Sequence, residues 1–382
     1  MSGPRGSRHS GLDLLRAIAI VWVMLYHLQS YGVALPSVVG FGWMGVDLFF
    51  VLSGYLIGWQ LLKPYTHGAQ PSWGQFFARR AFRVLPAYLA VVAIYFAVPA
   101  VRESEGIAPL WQFLTFTQNL FPDYFRNRAL SHIWSLCIEE HFYLLLPPVV
   151  WMLARRPRAG RVAAVAIAIF AGGMLLRAWL WQHQVAPFAQ IRSGEGSFIL
   201  RFVEKIYNPT WTRLDGLLAG VMLATAKGFR PRWWSHLMAR GPWLLAAGLA
   251  GVMACTRMET PGLASSVVGY PLLSASLAAI VAAVLSPTSW TGRLRLPGAG
   301  PVAAMAFSLY LTNKSVFHVI HEQLDDQLDG SRPLALAVYL GAALAVGAIL
   351  YLGVERPGMR LRARLLDGTR KPVASALVGY RV

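Results

Sequence analysis

The sequence is short of charge. Only 14% of its 382 residues are Asp, Glu, Lys or Arg, against about a quarter in soluble domains, which excludes an ordinary water-soluble globule. Acidic residues are the scarcer sign: 17 Asp and Glu stand against 35 Lys and Arg, a net charge of +18. Cysteine is nearly absent. Cys137 lies inside an apolar run and Cys255 near the end of another, so no disulfide is expected, and no Cys/His set has metal-ligand spacing. No internal repeat and no stretch of soluble-domain composition stands out, so the chain reads as one membrane-embedded domain, 1–382.

What is plentiful is apolar sequence. Hydrophobic residues make up 56% of the chain and the mean hydropathy is +0.47. Runs of roughly 20 apolar residues recur throughout, as membrane-spanning helices require. The fold class expected is all-α, a polytopic membrane protein of about ten transmembrane helices: 12–32, 42–62, 84–101, 134–154, 162–182, 209–226, 242–256, 266–286, 301–321 and 334–354. The apolar piece 108–122 is too short to span and reads as interfacial or re-entrant. Arg5 and Arg8 precede the first run as in a signal peptide. No small-residue cleavage site follows, and Asp13, Arg16 and His27 interrupt the run, so it is expected to be a retained span.

Ten spans put both termini on one side, and basic residues test which side that is. Of the 35 Lys and Arg, 23 fall on the terminal side, from Arg5 and Arg8 through Lys63, Arg79, Arg80 and Arg83 to the tail 358–382. Eight fall opposite, and Arg16, Arg177, Arg213 and Lys314 lie within spans. Both ends are therefore expected to be cytoplasmic, in a plasma (bacterial inner) membrane. The high positive charge is loop charge facing a lipid bilayer, and no nucleic-acid partner is expected. Oligomeric state is not legible.

The costly polar residues within the spans converge in depth. At a 1.5 Å rise per residue, His27, Asp47, Glu139, Glu140, Asp215, Asn313 and Lys314 all fall roughly 8–12 Å below the outer face. Single polar residues near helix ends often snorkel to water, but Asp and Glu are too short to reach far. Five helices bringing such groups to one level point to a shared polar cavity. Successive helix positions are about 100° apart, so only one of Glu139 and Glu140 can point at His27. Arg16 and His27, eleven residues apart, share a helix face about 16 Å apart along the axis. With Arg79, Arg80 and Arg83 nearby, this suggests a channel with phosphate-binding arginines inside and a proton-accepting histidine outside. The same three arginines also fit ordinary positive-inside anchors.

These strings resemble acyltransferase family 3, membrane-embedded enzymes that move acyl groups onto sugars and other hydroxyl acceptors. "LDLLRAIAIVWVMLYHL" (12–28), "GVDLFFVLSGYLI" (45–57), "FFARRAFRVLPAY" (76–88), "HIWSLCIEEHFYLL" (132–145), "RLDGLLAG" (213–220), "SLYLTNKSVFH" (308–318) and "VERP" (354–357) follow the family in order over essentially the whole chain. The resemblance implies transfer from a cytoplasmic acyl-CoA, acetyl-CoA above all, to an acceptor in the membrane or at its outer face. It implies catalysis by His27 and donor binding by Arg16, Arg79, Arg80 and Arg83. One departure stands out: relatives commonly have histidine where this chain has Asn313.

Transfer from a thioester to a hydroxyl needs a base, an oxyanion site and positioning of both substrates. His27 is the natural base, because imidazole titrates near neutral pH. Glu139 or Glu140 is expected to orient it, and Ser135, Asn313 or Lys314 to hold the oxyanion. Direct transfer and an acyl-histidine intermediate both fit. The acceptor expected is a carbohydrate; a macrolide-like small molecule is the alternative. Trp111, Trp134, Trp179, Trp181 and Trp211 suit either sugar stacking or an interfacial belt. The rival readings are a proton-coupled transporter, which uses the same intramembrane groups, and a relative with a degenerate site.

Overall fold

The computed structural model describes residues 10–155, 158–328 and 330–367. Fourteen helices follow in order: α1 Ser10–Leu28, α2 Met44–Leu62, α3 Trp73–Ala97, α4 Leu110–Leu114, α5 Trp134–Arg155, α6 Ala159–Leu180 and α7 Phe198–Phe202. They continue with α8 Asp215–Phe229, α9 Pro231–Met238, α10 Gly241–Thr256, α11 Tyr270–Leu285, α12 Ala299–Leu328, α13 Arg332–Leu350 and α14 Arg356–Arg362. Among the described residues no strand forms; a single bridge joins Ile107 and Ala129. Proline opens α9, α10 and α13, where its missing N–H would have no helical partner anyway.

The core gathers around α1, α2, α8, α11 and α12. Ile20, Val51, Leu217, Val281, Leu309 and Phe317 are fully enclosed there. Glycine sets the closest approach. A β-carbon on Gly54 of α2 would lie 2.0 Å from the Leu217 carbonyl oxygen, and one on Gly220 of α8 would lie 2.2 Å from that of Val51. Small residues at such a crossing let two backbones meet, which is how helices associate in lipid.

Among the described residues seven helices are long and apolar enough to cross a membrane, or up to eight if the α9–α10 pair, bent by 79°, is one broken span. This is a multi-pass membrane protein. The expected count of ten included two segments outside that set. The segment 209–226 yields only the 15-residue α8, because the chain before Asp215 is spent in turns around Arg213. The segment 301–321 lies within the 30-residue α12, whose apolar character is diluted by Asn313, Lys314, His318 and His321. The piece 108–122 forms only the five-residue α4 and loops, with no span.

The third span also starts earlier than expected. The Ser72 hydroxyl accepts the Gln75 N–H and caps α3, so the helix begins at Trp73, eleven residues before the expected 84. Arg79, Arg80 and Arg83 therefore sit inside a helix rather than in a loop. At the other end, residues 332–366 form one helical run, which carries helix past the expected end at 354 and places Arg362 within it. Arg5, Arg8, Arg156, Arg370, Lys371, Arg381 and residues 368–382 of the expected tail lie outside the described residues.

Candidate active site

A cavity of about 410 Å³ opens between α1, α2, α3, α5, α12 and α14. Its α2 wall runs from Val46 to Gln60, roughly 21 Å of helix. Five arginines line it, Arg16, Arg79, Arg80, Arg83 and Arg362, against two carboxylates, Glu139 and Glu140. The surplus of positive charge suits a polyanion. Four of the five arginines are the sequence candidates for the donor. Arg362 is a residue that sequence reasoning missed, because it placed 358–382 in a tail.

The pair of adjacent carboxylates has a local explanation. Arg80, 11% exposed, reaches Glu139 at 3.9 Å and Glu140 at 3.7 Å. Its guanidinium also lies 3.5 Å above the Tyr143 ring. Glu139 accepts hydrogen bonds from Ser53 (3.1 Å) and Tyr143 (2.8 Å). Such pairing is what makes charge tolerable at membrane depth. The expectation that Glu139 or Glu140 orients His27 is not met: their contacts run to the arginine side. The single channel from Arg16 to His27 is not met either, since His27 is not among the cavity's lining residues.

What closes the cavity toward His27 is a hydroxyl pair. Ser135 and Tyr310 both line it, and the Ser135 hydroxyl donates to the Tyr310 oxygen at 2.7 Å. The Tyr310 hydroxyl in turn donates to the backbone carbonyl of His132. The rings of Tyr310 and His132 are 5.6 Å apart, and His132 and His27 are 6.0 Å apart. Cavity, tyrosine and two histidines thus follow in line.

The protonation of His27 can be read from its neighbour. Asn313 is fully buried, and its amide nitrogen donates to the carbonyls of Leu309 and Tyr310, both at 2.9 Å. That fixes the amide oxygen toward His27 Nδ1, 2.7 Å away. A carbonyl oxygen only accepts, so Nδ1 carries the hydrogen and Nε2 keeps its lone pair. The asparagine is therefore suited to setting a tautomer.

A carboxylate does stand near His27, but it is Glu103, from the loop after α3. Glu103 accepts hydrogen bonds from the Tyr95 hydroxyl at 3.0 Å and the Leu130 N–H at 3.1 Å. It lies 3.2 Å from the Lys314 ammonium and 3.8 Å from His132 Nδ1. Burial alone would raise the Glu103 carboxyl, but Lys314 and His132 outweigh it and hold the group well below the usual carboxylate range. Sequence reasoning missed both Glu103 and His132. His132 opens a quoted string; Glu103, in "VRESEG", carries no hydropathy signal.

Asp47 and Asp215, expected in the shared polar site, are held elsewhere. Asp47 takes a two-pronged bond from Arg213 at 2.7 and 2.9 Å, and Asp215 one from Arg177 at 2.7 and 3.3 Å. Arg213 also lies 4.1 Å from the Tyr270 ring. Neither aspartate lines the cavity. Similar depth reflects here two separate ion pairs that tie α2, α6 and α8 together. Of the tryptophans, Trp134 is core, while Trp111, Trp179 and Trp211 are exposed.

A family model described as an acyltransferase domain, that of acyltransferase family 3, matches residues 9–352. The chain belongs to this family. It is 26% identical to the "Putative O-acetyltransferase" of Staphylococcus aureus (strain COL), covering 91% of this chain and 56% of that protein. It is 32% identical to the O-acetyltransferase OatA of Staphylococcus aureus (strain NCTC 8325 / PS 47), over 56% of this chain and 34% of OatA. The chain thus spans about half the length, or less, of these curated relatives. No solved structure matches it.

Proposed function

We propose that this acyltransferase-family chain moves an acyl group, acetyl in the first instance, from cytoplasmic acyl-CoA to a hydroxyl of a carbohydrate acceptor at the outer side of the membrane. The observation that carries the reading is the arginine-rich cavity that ends at the Ser135–Tyr310 pair, with His27 behind it. The arginines supply charge-assisted bonds to the donor's phosphates, and the cavity's length suits an extended thioester arm. The printed O-acetyltransferase names of the relatives support acetyl and a hydroxyl acceptor.

On this reading the Ser135–Tyr310 pair, closed at 2.7 Å in the structure, parts to let the donor's thioester through to His27. The acceptor hydroxyl gives its proton to His27 Nε2 as its oxygen attacks the acyl carbon. The carbon–sulfur bond then breaks and the thiolate leaves, taking up the proton. The Ser135 hydroxyl, once turned away from the Tyr310 oxygen, is the donor for the oxyanion, while Tyr310 gives its hydrogen to the His132 carbonyl. The intramembrane charges Asp47, Asp215, Arg177 and Arg213 are all paired, so the transporter reading finds no free intramembrane carboxylate among them.

The test is acyl release from labelled acetyl-CoA by purified protein in liposomes, with and without a glycan extract. Turnover is expected in the native protein and is expected to fall about 10²–10⁴-fold in His27→Ala, with acetyl-CoA binding retained. Normal turnover in well-folded His27→Ala removes the histidine from the mechanism. Binding without turnover under any acceptor removes acetyl transfer.

A further inference from the structure

His132 is a buried imidazole, 5% exposed, with no close hydrogen bond at either nitrogen among the described residues; its nearest polar neighbours are Glu103 and the Leu311 backbone. Leaving a buried polar atom unpaired costs about 1–3 kcal/mol, so a fold that keeps two of them at one ring invites an explanation. The ring's surroundings are specific. It stands edge-on to His27 at 6.0 Å between centroids, and its Nδ1 faces Glu103 at 3.8 Å, close to but longer than a hydrogen bond. Catalytic hydrogen bonds are often long before substrate binds and tighten in the working complex.

The loop is built to hold that carboxylate in place. Glu103 accepts from the Leu130 N–H, and Leu130 is one of two non-glycine residues with positive φ (57°) among those described, a conformation that costs energy unless its surroundings hold it. Leu130 leads directly into Ser131 and His132. The same carboxylate therefore grips both the backbone that presents His132 and the ring itself. Lys314, 3.2 Å away, keeps Glu103 ionised and makes the resting pair neutral overall.

We propose that Glu103 and His132 are positioning residues of the acyl-transfer reaction: the Glu103 carboxylate, acting through the His132 imidazole, supplies the negative charge that holds the imidazolium formed at His27. The proposal rests on the reading of His27 as base and gives Glu103 the task that sequence assigned to Glu139 or Glu140. As the acceptor O–H bond breaks, the proton goes to His27 Nε2; the new carbon–oxygen bond forms and the carbon–sulfur bond breaks. The positive charge is held until the thiolate takes the proton. A carboxylate behind an imidazole is an economical way to hold that charge, since an opposite charge nearby favours the protonated form. The titratable groups about the two rings are Glu103 from the α3 side, Lys314 and Tyr310 from α12 and Tyr26 from α1, with Tyr95 bonded to Glu103 and Tyr31 to the Lys314 carbonyl behind them.

The experiment is a pH profile of acetyl transfer for native protein, Glu103→Gln, His132→Gln, Lys314→Met and the Glu103→Gln/Lys314→Met double variant. Glu103→Gln is expected to lower kcat about 10²-fold, with KM for acetyl-CoA within about twofold of native. It leaves Lys314 uncompensated, so His27 loses its proton at lower pH. The acid limb of kcat/KM is expected to move down by about one pH unit. Lys314→Met moves the limb up, and the double variant returns it toward native without restoring kcat. A limb that stays put with kcat within about threefold of native overturns the proposal. So does a loss confined to KM for acetyl-CoA, which would place Glu103 with the donor. Should Glu103→Gln fail to fold, the upward shift in Lys314→Met decides. Absence of turnover in the native protein is the failure of the proposed function, not of this inference. The His27 midpoint is then read by NMR on histidine-labelled protein, where an unmoved midpoint in Glu103→Gln overturns the coupling.

Discussion

At the scale of single residues, the sequence found the right kinds of group and mispaired several of them. Depth along a helix was readable, because a fixed rise per residue turns sequence number into height. Azimuth was not: which neighbour a side chain meets depends on how helices rotate against one another. So Glu139 and Glu140, at about the expected height of His27, meet Arg80 instead, and Asp47 meets Arg213. Two predictions separate the pairs. Asp47→Asn strands Arg213 in a buried site and is expected to cost about 3–5 kcal/mol. It is expected to appear as a lower melting temperature in detergent, with KM for acetyl-CoA unchanged in the folded fraction. A raised KM with native stability would return Asp47 to the donor site. Asn313→Leu keeps the branched shape of asparagine but removes the acceptor from His27 Nδ1. Loss of a group that fixes a catalytic tautomer is expensive, so a kcat loss of about 10²-fold is expected with donor binding intact. Unchanged kcat would mean that another group sets the tautomer.

At the scale of elements, hydropathy located apolar stretches and could not see helix that is polar for a reason. The first turns of α3 carry Arg79, Arg80 and Arg83, so a hydrophobicity window begins the span late; the Ser72 cap and the Arg80–Tyr143 contact hold that segment helical and within the fold. Helix α12 shows the same bias, because Asn313 and Lys314 are what the site asks of it. Close packing was the other hidden layer. "LSGYL" and "DGLLAG" read as glycines in apolar runs, yet Gly54 and Gly220 are where α2 and α8 touch backbone to backbone. Gly54→Val or Gly220→Val is expected to destabilise by about 1–3 kcal/mol through overpacking. In α6, a β-carbon at Gly172 would meet nothing within 4 Å. Gly172→Ala is expected to be neutral or stabilising by up to about 1 kcal/mol. Thermal melts of the three variants check the contrast; native stability in Gly54→Val and Gly220→Val would show that the crossing does not depend on glycine.

At the scale of the whole molecule, the arrangement reads as two half-sites served by one bundle. One half is the cavity lined by five arginines and two carboxylates, the side proposed for the donor. The other is a neutral-overall cluster of His27, His132, Asn313, Glu103 and Lys314, and the Ser135–Tyr310 hydroxyl pair stands between them. Such a division makes sense if donor and acceptor arrive from opposite faces, and it makes the molecule's orientation a functional claim. By the ten-span expectation from the sequence, 23 basic residues fall on the terminal side against eight opposite, which is the ground for proposing a cytoplasmic arginine side. Proteoliposomes in which orientation has been fixed by protease protection of a terminal tag test this directly. Acetyl-CoA supplied on the face that carries Arg155, Arg158 and Arg161 is expected to support turnover, and the rate is expected to fall as salt screens the entry of the charged donor. Acetyl-CoA confined to the opposite face is expected to give none. Equal rates from both faces would mean that the donor enters on the His27 side as well, and the two-sided reading would fall with the orientation that supports it.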